Sequence, residues 1–570
     1  MEAAGLALGV LGAVGVLGQM FDGCIKGYRV FSTASNLGRD SERLVCKIRI
    51  EETRLWVWGR QCGVVEGKFE AHLAAGTWGH EGLKDLATEV LAQLLQTITD
   101  CNKLQEKYGL REEAPGSVDK EAYMAYKKSA DLKSFRAVKV KDEWRLRARW
   151  VIADKEQFEN FLKDLQYFND SLEKLFPPGQ VTTLQRAWTS ELLQSAERNT
   201  GSLELLENAS SGRYPGLTTF AQLKRLRINL DAKEPSRKIL STSELKQQQW
   251  RIKVPPGEDS VGTRVRAVYQ RPQDAPPYSE DVPVLVEWIP YDAISDLDAR
   301  LHLYQRVDNL SRMLHSCSSR HPDLHTLDSA GYVDDSPHSR YGIIYLGPSQ
   351  SSAGPSTMPP FHTLSAAIEN QGKRTPDLEA RFSLARTLAI ALWSFHSLDW
   401  LHKSFCSHNI LFFSSSSDTS PRSEHHDLSA PYVVGFDSSR PDGLAEMTAD
   451  PRFAHGEDLY RHPDSLGVWR QSYRKAFDVY SLGLVLLEIG LWNPKQSIRS
   501  MHKARYSPAV FREKIIQGAV PALGSKTGST YRGVVERCLG FNEESQQGGE
   551  GMNPNQMMEW VVRTLESLRV

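Results

Sequence analysis

The chain opens on a stretch with almost no polar position, and apolar residues then recur at three and four through its first 230 residues. Residues 3–21 carry no charge and stand between Glu2 and Asp22. These nineteen residues come close to the ~20 that a helix needs to cross a bilayer. Gly5, Gly9, Gly12, Gly15 and Gly18 dilute the hydrophobicity, and each glycine inside a water-exposed helix costs ~1 kcal/mol relative to alanine. Two readings follow: an N-terminal helix buried in a soluble bundle, or a segment that leaves its fold and enters lipid. Gly5 and Gly9 have the spacing that lets helix backbones approach closely in a membrane. Leu8, Leu11 and Phe21, with Gly12, complete the candidate membrane-active face.

Further along, Val45, Ile48, Glu52 and Leu55 share one helical face, with a stop expected at Trp58-Gly59. A second pattern uses Leu83, Ala87, Val90, Leu94, Cys101 and Tyr108. The clearest helix spans residues 150–176, where Phe158, Phe161, Leu162, Leu165, Phe168, Leu172, Leu175 and Phe176 form a stripe wide enough for a bundle core. Pro177-Pro178-Gly179 ends it, and helical segments follow around 184–207 and 217–230. Residues 1–230 therefore read as an all-α bundle, and the polar stretch 231–247 as a linker.

From Trp250 the period shortens to β-type runs at 265–269, 284–289 and 341–346, with an amphipathic stretch at 301–314. Ser-rich segments 349–357 and 414–420 read as loops, and the pattern beyond Leu378 is mainly helical. Strands first and helices later predict an α+β domain, or two lobes, over 248–570.

Composition narrows the classes. The 69 basic and 70 acidic residues nearly cancel, so no global charge draws the chain to nucleic acid. Seven scattered cysteines without a C-x-x-C pair favour reduced thiols inside a cell over a disulfide framework. Residues 120–149 hold ten Lys or Arg against four Asp or Glu, a solvated face or a contact for anionic headgroups. No basic region precedes the apolar run, against a secretory signal, and Glu2 stands where myristoylation needs glycine. His402, Cys406 and His408 lack the fourth convergent ligand of a structural zinc site, so no metal is expected.

The glycine-rich start, Gly38-Arg39-Asp40, Glu42-Arg43, Arg54-Leu55, Trp58-Gly59 and the run Arg149-Trp150-Val151-Ile152-Ala153-Asp154 resemble the HeLo domain of fungal heterokaryon-incompatibility proteins. The resemblance covers about residues 1–230. It implies a helical bundle whose N-terminal segment can enter membranes and kill the cell. The prion-forming tail of the best-known members has no counterpart in this sequence.

Residues 394–413 are similar to the catalytic-loop region of protein kinases. Leu401-His402-Lys403-Ser404 stands for Leu-His-Arg-Asp, with Asn409 five residues after Ser404. Pro431 to Asp437 resembles the strand leading to Asp-Phe-Gly, Tyr460-Arg461-His462-Pro463-Asp464 an activation-segment end, and Asp478 to Gly483 the helix carrying Asp-x-Trp-Ser-x-Gly. The resemblance implies a bilobal kinase-like fold, with Asp478 anchoring the catalytic-loop backbone. It also implies a degraded site. Phosphoryl transfer needs a carboxylate base, an Asp and an Asn on magnesium, and a Lys on the phosphates. Here Ser404 and Gly435 replace the carboxylates, and Glu287 or Ile289, by register, replaces the lysine. Only Asn409 remains, unless Asp437 serves as metal ligand and Lys253 reaches the phosphates.

The expected protein is multidomain and not an enzyme: a HeLo-like bundle acting at membranes under control of a pseudokinase, without cofactor or bound ATP and magnesium. Its expected partners are membrane lipids, a nucleotide-binding immune-type receptor and further copies of itself, with relocation from cytoplasm to plasma membrane. The competing readings are an atypical active kinase with a helical localising module, and a non-enzymatic adaptor.

Overall fold

A computed structural model describes residues 15–32, 39–69, 82–113, 149–232, 243–255, 263–270, 281–291, 297–315, 321–348, 358–370, 374–413, 427–442, 457–467, 470–503, 505–542 and 552–568. Gly5, Leu8, Leu11, Gly9 and Gly12, nearly all of the basic run, and both Ser-rich segments lie outside these. The chain forms two compact units, Met1–Thr218 and Thr219–Val570. The division falls inside the helix Pro215–Asp231 and not after it.

The first unit is built around the helix α2 (Arg39–Gln61), against which α1 (Val16–Ser32) packs, together with helices introduced below. Trp58-Gly59 does not stop α2. Gly59 instead seats the Phe21 ring: a Cβ there would lie 2.3 Å from Phe21 Cε2 and Cζ. On α1, Gly23 and Gly27 receive Leu95 and Ile98 of α3 (Leu83–Thr99) in the same way. Here glycine is chosen for what must occupy the missing side chain's place. Cys101 does not extend the apolar face of α3. Asp100 caps a new short helix, α4 (Cys101–Glu106), and leaves Cys101 exposed.

The bundle is not all helical. Residues 149–152, expected to begin the long helix, form β2 (Arg149–Ile152), antiparallel to β1 (Leu110–Glu113). Asp154 then accepts the amides of Glu156 (2.9 Å) and Gln157 (3.1 Å) and starts α5 (Lys155–Glu173). A capping carboxylate outcompetes the apolar periodicity in deciding where the helix begins. Phe158, Phe161, Leu162, Leu165 and Leu172 are buried along its stripe. Pro177-Pro178 opens the next helix: Pro178 is the first residue of α6 (Pro178–Ser195), where a proline lacks nothing a helix start would use. Thr200–Ser210 (α7) and Pro215–Asp231 (α8) complete the helices among the described residues of this half.

Arg54 lies at the centre, 2% exposed. Its Nε donates to Glu173 (2.9 Å), Nη1 to Glu51 (2.8 Å) and to the Tyr214 hydroxyl (2.7 Å), and Nη2 to Asp170 (2.8 Å). Asn169 donates to the Glu51 carboxylate at 2.9 Å, and Tyr214 donates to its other oxygen at 2.5 Å. Trp58 Nε1 closes the shell on the Leu172 carbonyl. One guanidinium thus ties α2, α5 and the segment before α8.

In the second unit the main sheet runs β3 (Lys246–Gln247), β7 (Ser329–Asp335), β8 (Arg340–Leu346), β6 (Val282–Pro290), β5 (Arg264–Tyr269), β4 (Ile252–Lys253). The β3–β7 pair is parallel and the other pairs are antiparallel. Strand β7 is additional to the three runs visible as β-type in the sequence. Residues 246–247, expected in a linker, belong to this sheet. Ala267, Val284, Val286, Val333 and Ile344 form its core, and α9 (Leu297–Leu314) packs beside β7. The half beyond Leu378 is mainly helical. Its centre is α11 (Leu378–Ser397) and α12 (Lys475–Leu491), the latter buried at every position. Residues of α8 belong to this unit as well: Lys224, 1% exposed, pairs with Asp399 at 2.7 Å, and Phe220 packs on His321.

Replacing Arg54 by Ala strands Glu51 and Glu173 in the interior. Removing one partner of a buried ion pair costs about 3–5 kcal/mol, to be read from urea denaturation at neutral pH. Burial already raises the Glu173 carboxyl, and Arg54 holds it down. Without Arg54 its folded value rises further above the unfolded one. The deficit should therefore shrink as the pH is lowered from 7 towards 5. A deficit independent of pH would remove the carboxylates as its cause.

Candidate functional site

In the second unit the sheet meets the catalytic-loop-like segment at one buried charge cluster. Antiparallel pairing sets Arg264 of β5 opposite Glu287 of β6. Glu287, 4% exposed, accepts from Arg264 Nε at 2.7 Å through Oε1. Its Oε2 accepts from the Tyr345 hydroxyl at 3.0 Å and from the Gly435 amide at 3.3 Å. Arg264 reaches on across the cleft, Nη1 to the His408 carbonyl at 2.8 Å and Nη2 to Asn409 Oδ1. Asn409 Nδ2 donates to the Ser404 carbonyl at 2.7 Å. Arg306 of α9 donates to the Asp437 carbonyl.

This geometry brings Ser404, Asn409, Gly435 and Glu287 together and leaves other candidates aside. Ile289 is buried opposite Tyr341, away from the cluster, so Glu287 is the residue of β6 that faces the loop. Lys253 is exposed and pairs with Val268, near the far end of the strand that begins at Arg264. Gly435 is left-handed, with φ 83°, and a Cβ there would lie 2.3 Å from Asn409 Nδ2. An aspartate at 435 is incompatible with Asn409 in this position. Burial raises the Asp437 carboxyl, Glu287 raises it further, and Arg306 opposes them.

Magnesium does not fit Asn409 and Gly435 as they stand in this structure. Both polar atoms of the Asn409 side chain are engaged, Gly435 offers no carboxylate, and a guanidinium lies where the acceptors converge. Among the described residues no group of three or more His, Cys, Asp or Glu is placed to hold a metal.

The loop's backbone is held from beneath. Asp478 accepts the His402 amide through Oδ2 and the Lys403 amide through Oδ1, both at 2.9 Å, with the Tyr473 hydroxyl at 2.8 Å. Lys403 has φ 68°, a left-handed conformation that a side chain other than glycine adopts at a cost. Burial alone would raise the Asp478 carboxyl, but the His396 hydrogen bond and the imidazole charges hold it below its ordinary value. His402 packs on Phe436 with ring centroids 4.7 Å apart, and burial pushes it down to about 4. Cys406 is a buried thiol, and His408 lies against Tyr460. Glu488 of α12 accepts from the Tyr460 hydroxyl (2.7 Å) and the Ile498 amide (2.8 Å), and burial pushes it up to about 7.

Arg264, Arg306 and Tyr345 escape the sequence reading. Nothing in their local pattern marks them. Only the strand register reveals that Arg264 answers Glu287.

At the other candidate site, Phe21 is the described member of the apolar face, buried on Gly59 and 6.2 Å from the Trp56 ring centre. The helix carrying it, α1, begins at Val16 and includes Asp22, Lys26 and Arg29. Among the described residues no helix is long and apolar enough to cross a membrane.

Comparison with protein families divides the chain similarly. Residues 5–206 match HeLo, described as prion-inhibition and propagation. Residues 5–206 are thus similar to that domain, and the match ends within α7. Residues 292–566 match a domain of unknown function, DUF7580. That match takes in Ser404, Asn409, Gly435 and Asp478 but begins after Arg264 and Glu287. No curated protein matches the chain.

His402 and Glu488 impose opposite pH dependences on the second unit. His402 titrates near 6.5 when unfolded and near 4 when folded, so between those values the unfolded chain holds more protons and acidification destabilises the fold. Glu488, near 4.5 unfolded and about 7 folded, stabilises the fold as pH falls through that window. Measured as unfolding free energy from pH 7 to 5, His402→Phe should show a shallower acid loss than the parent. Glu488→Gln should show a steeper one.

Proposed function

We propose that the chain is a cell-death effector of the fungal incompatibility type. Its HeLo domain acts at membranes through residues 3–21, and a catalytically dead kinase-like module controls it. The observation that carries this reading is the HeLo match over residues 5–206, a family described by prion inhibition and propagation. Support for a restrained N-terminus comes from α1. Phe21, Gly23 and Gly27 are held by shape against α2 and α3, not by helix propensity, which glycines weaken. A segment held chiefly by packing, with one partly exposed ion pair from Arg29 to Glu52, can be displaced by a partner with differential affinity for the released state. Such a partner is an immune-type receptor or a second copy of the chain, and release carries the protein from cytoplasm to plasma membrane.

The kinase-like reading of the second unit rests on the order of four sequence motifs and on the anchoring of residues 402–403 by Asp478. The absence of phosphoryl transfer rests on Ser404, Gly435 and the Arg264–Glu287 pair. The base and metal ligand that carry that reaction are missing, and Arg264 occupies the acceptors that a metal would need.

Gly9→Glu places a charge in hydrocarbon, at a cost of ~2.5–3.5 kcal/mol on insertion scales for ionised residues at a helix centre. The full-length variant should lose dye release from liposomes and toxicity on expression while its thermal unfolding stays unchanged. Leakage equal to the parent's would remove residues 3–21 from the mechanism. In a second assay the purified protein should transfer no phosphate from ATP with magnesium. Transfer abolished by Asn409→Ala would establish the active-kinase alternative.

For control by the second unit, the informative truncation ends after Thr218. Residues beyond it, such as Lys224, find their partners in the second unit and would be stranded in a longer fragment. If that unit restrains the bundle, the truncated chain should bind vesicles more strongly than the full chain at matched concentration. Weaker binding would make the second unit an activator.

A further inference from the structure

Beyond α12 the second unit carries an exposed basic turn that leads into a short helix. The turn lies between α13 (Ile498–Met501) and α14 (Pro508–Lys514). The Tyr506 amide donates to the Lys503 carbonyl at 2.8 Å, turning the chain back on itself. The Arg505 guanidinium lies 5.6 Å from the centre of the Tyr506 ring. Lys503, Arg505 and Lys514 all act on the Tyr506 phenol, which hydrogen bonding from Arg505 and then these charges hold below its ordinary value. The three cations are exposed and form no ion pair among the described residues. Glu513, the nearest carboxylate along the chain, accepts from Gln517 at 2.9 Å.

Apolar groups project among these charges. Pro508, Ala509 and Val510 are exposed in succession at the start of α14, Val510 by 41%. They are not loosely held. Phe511 is buried beneath them against the His502 ring, 5.1 Å between centroids, and Arg512 donates to the Leu539 carbonyl at 2.7 Å. The result is a fixed tip with an apolar end, a half-buried tyrosine beside it and lysine and arginine around it.

We infer that this tip, centred on Lys503, Arg505, Tyr506, Val510 and Lys514, docks on the anionic phospholipid surface of a membrane. The inference rests on the membrane reading above and adds a second contact, on the unit that does not carry residues 3–21. Charge complementarity selects a polyanionic surface, since unpaired cations attract headgroups. The apolar end selects lipid over an acidic protein. Small apolar residues and tyrosine flanked by cations suit the headgroup and acyl boundary, where both kinds of group are satisfied together. Such docking would hold the effector flat on the bilayer before its N-terminus is released.

The test is partition of the full chain onto vesicles of phosphatidylcholine alone and of phosphatidylcholine with phosphatidylserine. Each basic residue near an anionic surface is worth on the order of fivefold in partition. The triple variant Lys503→Ser, Arg505→Ser, Lys514→Ser should thus lose about 100-fold on the mixed vesicles, and nothing on neutral ones. Val510→Ser, with all charges kept, should weaken binding to mixed vesicles as well. Binding by the parent should fall as salt is raised. Thermal unfolding of every variant should match the parent. Parent and triple variant binding mixed vesicles equally would overturn this docking site while leaving the membrane reading intact. No binding of the parent to any vesicle would overturn both. Parent binding to immobilised polyglutamate as strong as to mixed vesicles, and equally lost in the triple variant, would reassign the tip to an acidic protein.

Discussion

A guanidinium taken out of water must be met by acceptors on every side, because an unpaired buried charge costs more than a fold can spare. Arg54 imposes this on the first unit. Four of its five nitrogen-bound protons are answered, by Glu51, Asp170, Glu173 and the Tyr214 hydroxyl. Those acceptors come from elements more than a hundred residues apart, so the network can form only when α2, α5 and the approach to α8 are in place. Such a pair adds little net stability over a well-packed apolar core. What the network does here is join α5 and Tyr214 to one guanidinium of α2 in this register.

The second unit repeats the constraint with a different outcome. Glu287 is buried on a strand and must be paired, and Arg264 answers it while also bonding the His408 carbonyl and Asn409. The Glu287 carboxylate and the Asn409 side-chain oxygen are thereby both bonded to one arginine side chain. Asn409 in that position leaves no room for a Cβ at 435, so the glycine follows from the arginine. Beneath, Asp478 sustains the left-handed Lys403 by receiving its amide. A buried carboxylate offsets local strain with hydrogen bonds that water could not supply there.

Close approach also governs α1. Phe21 on Gly59, Leu95 on Gly23 and Ile98 on Gly27 are contacts in which one side chain fills the space another lacks. They bind by shape and dispersion, beside one partly exposed ion pair, Arg29 to Glu52 at 3.3 Å, that joins α1 to α2. A helix secured in this way is suited to release, which links the packing of the bundle to the proposed action of the segment before it.

Much was legible in the residues themselves. The stripe of α5 and the strand character of 265–269, 284–289 and 341–346 follow from periodicity, because burial on one face leaves a period in the sequence. Ser404, Asn409, Gly435 and Asp478 stood out in the sequence through the likeness of their segments to protein-kinase motifs. Where local signals compete, periodicity misleads. Residues 150–152 continue an apolar stripe yet form a strand, because the Asp154 cap and pairing with 110–113 outweigh it. Gly59 reads as a stop until Phe21 is placed against it. The choice of Glu287 over Ile289, and the roles of Arg264, Arg306 and Tyr345, needed the tertiary structure. Side-chain alternation tells which face a residue occupies but not what lies opposite, and pairing between distant segments leaves no mark on either alone.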